Sequence, residues 1–103
     1  MTNQANNQTS IITPEKLEKY FEITREALEK AKSSEHCTDR KDQAEDFLDM
    51  AQRYFEDAKH FRDKKEIVNA FACLNYAHGW LDAGARIKLF KVKDSRLFTV
   101  DGE

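Results

Sequence analysis

The sequence predicts an all-α fold, an up-and-down three-helix bundle, and three observations carry that expectation. Only three Gly and one Pro occur in 103 residues, too few for the tight turns that hairpins and sheets require. Apolar side chains recur at intervals of three and four, the period of a helix with one buried face. Two short polar connections, near residues 33–38 and 63–66, divide that pattern into three runs. A chain of this length, 40% hydrophobic and 35% charged, builds one domain.

Residues 1–12 read as a flexible N-terminal arm, because Asn, Gln, Thr and Ser offer little apolar surface to offset the entropy of ordering. Thr13 followed by Pro14 and Glu15 marks a helix start. The threonine can accept from free amides, the proline supplies a helical φ, and the glutamate meets the positive end of the dipole. The first helix is expected over residues 14–32, with Leu17, Tyr20, Phe21, Thr24, Leu28 and Ala31 on one face. Thr38 or Asp39 is placed to cap a second helix over 39–62, whose apolar face runs Ala44, Phe47, Leu48, Ala51, Tyr54, Phe55, Ala58 and Phe61. Four charges, residues 63–66, then separate two apolar patterns and suggest a turn without Gly or Pro.

The third helix, expected over 66–90, differs from the others. Ile67, Ala70, Phe71, Leu74, Ala77, Leu81, Ala85 and Leu89 form a core stripe, yet Cys73, Tyr76, Trp80, Ala83 and Ile87 extend apolar character over much of the remaining circumference. Such a surplus calls for cover beyond the two neighbours that a bundle provides. The candidates are the tail, residues 91–103, with Val92, Leu97, Phe98 and Val100, or a second copy of the protein. Gly79 and Gly84 lie within this helix at about 1 kcal/mol each relative to Ala. Gly79 and Ala83, with Ala72, form a shallow track that another helix can approach; Gly84 marks either such an approach or the point where the helix bends.

A net charge of −2, from 17 basic and 19 acidic residues, gives no cationic field for phosphate backbones and argues against nucleic acid. Cys37 and Cys73 form no CxxC or Cys/His pattern and read as reduced thiols. No apolar run reaches membrane-spanning length and no leader pattern opens the chain, so a soluble cytoplasmic protein with no membrane association is expected. Six acidic residues and one basic lie between Asp42 and Asp57, while Arg86, Lys88, Lys91, Lys93 and Arg96 gather after the core of helix three. An antiparallel hairpin brings these two groups to one end of the bundle, where they can attract each other.

Chemistry gathers in one strip of helix three: Asn75, His78, Asp82 and Arg86. His78 and Asp82 have the i, i+4 spacing at which a carboxylate can hold an imidazole, as in a general base or half of a metal site. Catalytic zinc usually takes three protein ligands, and Glu45 and Asp49 project away from helix two's apolar face, so a satisfied structural histidine is the plainer reading. Arg53 and His60 form R-x6-H, a spacing found in some small helical ribonucleases of the HEPN superfamily, where Arg stabilises phosphate charge and His moves a proton. Both sit on the polar side of helix two, where a solvated surface is the ordinary expectation.

The segments AEDFLDMAQRYFEDAKHF (44–61) and NAFACLNYAHGWLDAGARIKLF (69–90) resemble domain-of-unknown-function family 357, a small, mainly archaeal group, most specifically through NYAHGWLDAG, residues 75–84. The resemblance implies a three-helix bundle in an uncharacterised cytoplasmic protein and carries no catalytic residues. Taken together, the residues point first to a noncatalytic interaction or self-association module using Tyr76, Gly79, Trp80, Ala83 and Ile87, with a homodimer or helical partner and no cofactor or metal. The alternatives are a small-molecule or metal-binding protein or enzyme using Asn75, His78, Asp82 and Arg86, and an HEPN-like ribonuclease using Arg53 and His60.

Overall fold

A computed structural model of the chain describes residues 10–99. Three helices, α1 (Pro14–Ser33), α2 (Lys41–Asp63) and α3 (Ile67–Arg86), run up, down and up, and no strand forms among the described residues. The first nine residues of the expected arm and the last four of the tail, Val100 included, lie outside them. Ile12, expected in the arm, is partly buried against the core.

Helix α1 begins as its sequence dictates: the Thr13 hydroxyl accepts from the Lys16 amide at 3.1 Å and Pro14 occupies the first turn. It buries Leu17, Phe21, Thr24, Ala27, Leu28 and Ala31. Neither Thr38 nor Asp39 caps α2. A 3-10 turn, Thr38–Arg40, leads into that helix, and Arg40 at the cap position makes no side-chain capping bond. The turn starts where the Cys37 amide donates to the Leu89 carbonyl, a tertiary bond that directs the chain into the helix in place of a local cap.

Residues 63–66 do form a turn. Lys65 adopts φ +65°, its amide bonds the Arg62 carbonyl, and the Glu66 amide bonds the Phe61 carbonyl, the paired bonds of a left-handed helix stop. Helix α3 stops in the same way at Arg86, four residues before the sequence pattern suggests: Lys88 has φ +65°, and the Lys88 and Leu89 amides bond the Ala85 and Gly84 carbonyls. The early stop lets Leu89 and Phe90 fold back as buried core residues outside the helix. Gly84 makes that return possible, since a Cβ there would lie 2.3 Å from Phe90 Cε2.

The core lies between the three helices and the returning tail. Phe21 meets Phe55 edge-on across α1 and α2, and Tyr20 meets Phe71 edge-on across α1 and α3. Each large apolar side chain fully buried here contributes roughly 1.5–3 kcal/mol. The tail is irregular but held. His36 and Phe90 form an isolated antiparallel bridge, the Lys91 amide bonds the Glu35 carbonyl, and the Leu97 and Phe98 amides bond the Asp94 carbonyl.

Two cations of the basic group, Lys91 and Arg96, pair with carboxylates outside α2, while Lys30 of α1 holds Asp94 of the tail. Arg96 reaches Glu26 at 2.7 Å, Lys30 reaches Asp94 at 3.2 Å and Lys91 reaches Glu35 at 3.5 Å. The tail crosses α1 and the α1–α2 connection, so their carboxylates are nearer. Arg96 holds the Glu26 carboxyl below the usual range, and Lys30, with the Arg96 amide, does the same for Asp94.

Candidate functional site

Helix α3 presents two clefts that meet over Asn75 and Gly79. On the α2 side, Phe47, Asn75, Tyr76, Gly79, Trp80 and Ala83 line an open apolar cleft of about 550 Å³. Phe47 stands perpendicular to Trp80 at 4.9 Å, and Tyr54 stacks on Tyr76 at 5.0 Å, so two aromatic pairs bind the α2–α3 seam. The Trp80 indole is thus partly covered by α2 of its own chain. The described tail runs along the other flank of α3, with Leu97 and Thr99 on His78 and Asp82.

Of the five surface residues singled out in the sequence, four line this cleft: Tyr76, Gly79, Trp80 and Ala83. Ile87 falls past the end of α3 and is 45% exposed, with its carbonyl accepting from Arg40 Nη2 at 2.7 Å. Tyr76 is 63% exposed and Val68, two turns earlier, 73%. A Cβ added at Gly79 would meet nothing within 4 Å, which leaves the middle of the surface open. Phe47 is the lining residue that the sequence pattern assigned to the core, because a one-dimensional stripe does not separate the centre of a face from its edge.

On the α1 side, Tyr20, Ile23, Thr24, Asn75, His78, Gly79, Asp82 and Arg96 line a cleft of about 390 Å³. The structure brings Asn75, His78 and Asp82 together there; Arg86 lies one turn beyond, exposed on the last turn of α3. His78 Nε2 is 2.5 Å from the Leu97 carbonyl. A carbonyl only accepts, so Nε2 donates and, in the neutral ring, Nδ1 accepts the Thr24 hydroxyl at 3.1 Å. Asp82 accepts from the Thr99 amide at 2.8 Å and from its hydroxyl at 3.2 Å, while lying 4.0 Å from His78 Nε2. The strip therefore clips the tail to α3 and α3 to α1.

Thr24, 2% exposed, was the available signal for this clip, as the one aliphatic hydroxyl in the apolar stripe of α1. A buried hydroxyl requires a partner, and sequence alone does not say that the partner is His78. Arg53 and His60 are both exposed on α2; Arg53 Nε binds Asp49 Oδ2 at 2.8 Å, and neither residue lines the two clefts. Among the described residues no group of three or more His, Cys, Asp or Glu is placed to hold a metal, and no helix is long and apolar enough to cross a membrane. The cysteines are free and their settings differ. Arg40 draws the Cys37 thiol below its usual pKa, while burial and then Asp57 push Cys73 up.

Residues 19–90, the span holding most of α1, both clefts' helical walls and the Phe90 return, match the family model described as "Protein of unknown function (DUF357)". The chain belongs to this family. The DUF357 match covers most of the chain, including the segments whose resemblance was read from the sequence, and it leaves both arms of the clip beyond Phe90 outside. No curated protein and no solved structure matches the chain.

Proposed function

We propose that this DUF357 protein is a noncatalytic interaction module whose contact surface is the outer face of α3 and its seam with α2. One observation carries the reading: an open apolar cleft formed by Phe47, Tyr76, Trp80 and Ala83 around the bare backbone of Gly79. Exposed apolar surface of this kind generally marks contacts, and Trp and Tyr are the side chains that most often dominate them. Leu74, Ala77, Leu81 and Ala85 bury the opposite side of the helix, so Tyr76, Gly79 and Ala83 face away from the core.

Sedimentation velocity and collisional quenching of Trp80 test the reading together, in the presence and absence of host-cell proteins fractionated by charge. The expected result is a shielded Trp80 in any assembled species and loss of assembly in Tyr76→Glu with unchanged helicity. An assembly that leaves Trp80 as accessible as in the monomer, or that survives Tyr76→Glu, overturns it. The alternative of a ligand-binding or catalytic strip has the cleft between α1 and α3 in its favour. Against it, His78 and Asp82 are already engaged by Thr24, Leu97 and Thr99.

A further inference from the structure

We infer that the occupant of the α2–α3 cleft is a basic amphipathic helix from a partner protein, rather than a second copy of this chain. The inference rests on the docking reading above and adds the chemistry of the partner. A groove between two antiparallel helices, walled by aromatic side chains and open at a glycine, has the shape that receives one apolar face of a third helix.

Charge along its two walls is unequal. The outward strip of α3 carries no charge from Val68 through Ala72, Asn75, Tyr76 and Gly79 to Ala83, and ends at Arg86 on the last turn. On α2, the 100° helical step places Asp46 and Asp57 on the flank that bears Phe47 and Tyr54. Asp57 lies near enough to α3 for its charge, after burial, to raise the Cys73 thiol. Neither Asp46 nor Asp57 makes an ion pair among the described residues, and Arg53, between them, is turned back onto Asp49. The two carboxylates lie 11 positions apart, about 16 Å or three helical turns along α2, on the shoulder of the helix outside the residues that line the cleft. Lys or Arg at matching intervals beside the apolar stripe of a docking helix would meet both.

A second copy is poorly suited to the same site. An isologous contact presents one patch to itself, so two acidic rims would enter one interface. The one cation between them on α2, Arg53, is already paired with Asp49.

The test uses the full chain and two synthetic helical peptides with the same Leu and Phe stripe, one carrying Lys and the other Glu at flanking positions spaced 11 apart. Trp80, the only tryptophan, reports binding from within the cleft. The Lys peptide should shift Trp80 emission and bind at least about tenfold more tightly than the Glu peptide at low salt, with the difference shrinking as salt rises. Asp46→Lys combined with Asp57→Lys should reverse the preference while leaving the thermal melt intact. Equal binding of both peptides, or a dimer that shields Trp80, overturns the basic-partner inference while leaving the docking reading standing. No shift with either peptide, in a chain that stays monomeric with Trp80 accessible, overturns both.

Discussion

The two flanks of α3 use the same helix for opposite ends. On the α1 side, His78, Asp82, Thr24 and the tail satisfy one another, and no described buried side-chain nitrogen or oxygen lacks a partner. On the α2 side, aromatic pairs bind the seam but leave Tyr76, Gly79 and Ala83 outward, with space above them. Closure on one flank comes from polar groups meeting a returning segment, whereas openness on the other comes from apolar groups that their aromatic neighbours cover on one side only. Apolar content alone therefore does not report how finished a surface is.

The two glycines test the contrast most sharply. Gly84→Ala drives a methyl into the Phe90 ring and should destabilise the fold by about 1–3 kcal/mol in denaturant melts, the range of core overpacking. Gly79→Ala, on the open flank, should instead stabilise by up to about 1 kcal/mol, the ordinary helix-propensity gain. Equal effects would mean that the outer face of α3 around Gly79 is packed as closely as the buried face against Phe90. His78→Ala leaves the Thr24 hydroxyl and the Leu97 carbonyl unmatched, and a loss of about 2 kcal/mol is expected, with faster amide exchange at Thr99 than in α2.

Lys65→Gly and Lys88→Gly should each add about 1 kcal/mol by relieving a left-handed backbone at a side-chain-bearing residue. Only Lys88→Gly is expected to slow exchange in the tail. The smallest effect concerns acid. Glu26 and Asp94 are held below their usual pKa, so the stability they contribute is present above the normal carboxylate range and is lost as pH falls through their folded-state values. Nuclear magnetic resonance of Leu97 and Phe98 should show the tail loosening on acidification before α2 and α3 change, and high salt should weaken the pH dependence.

Much of the fold was legible because helical period and scarce turn residues leave few alternatives. Thr13 and Pro14 set the first start correctly by local bonds alone. The end of α3 was not legible, because Leu89 and Phe90 continue the apolar pattern while their burial comes from a chain reversal permitted by Gly84. Thr38 and Asp39 looked like caps, yet the Cys37–Leu89 bond governs how α2 begins. At the candidate surface, Tyr76, Gly79, Trp80 and Ala83 could be seen as surplus from one helix. Phe47 became a lining residue only when a second helix was laid beside them.

The bridge between the α1–α2 connection and the tail has a kinetic consequence. The α2–α3 hairpin needs only a three-residue turn, residues 64–66, to align its helices, but the Glu35–Lys91 contact encloses a loop of 56 positions. Closing that loop early would lose chain entropy before core contacts could compensate. The tail should therefore engage after the hairpin during refolding and release first during unfolding, making it a late seam whose closure completes the molecule.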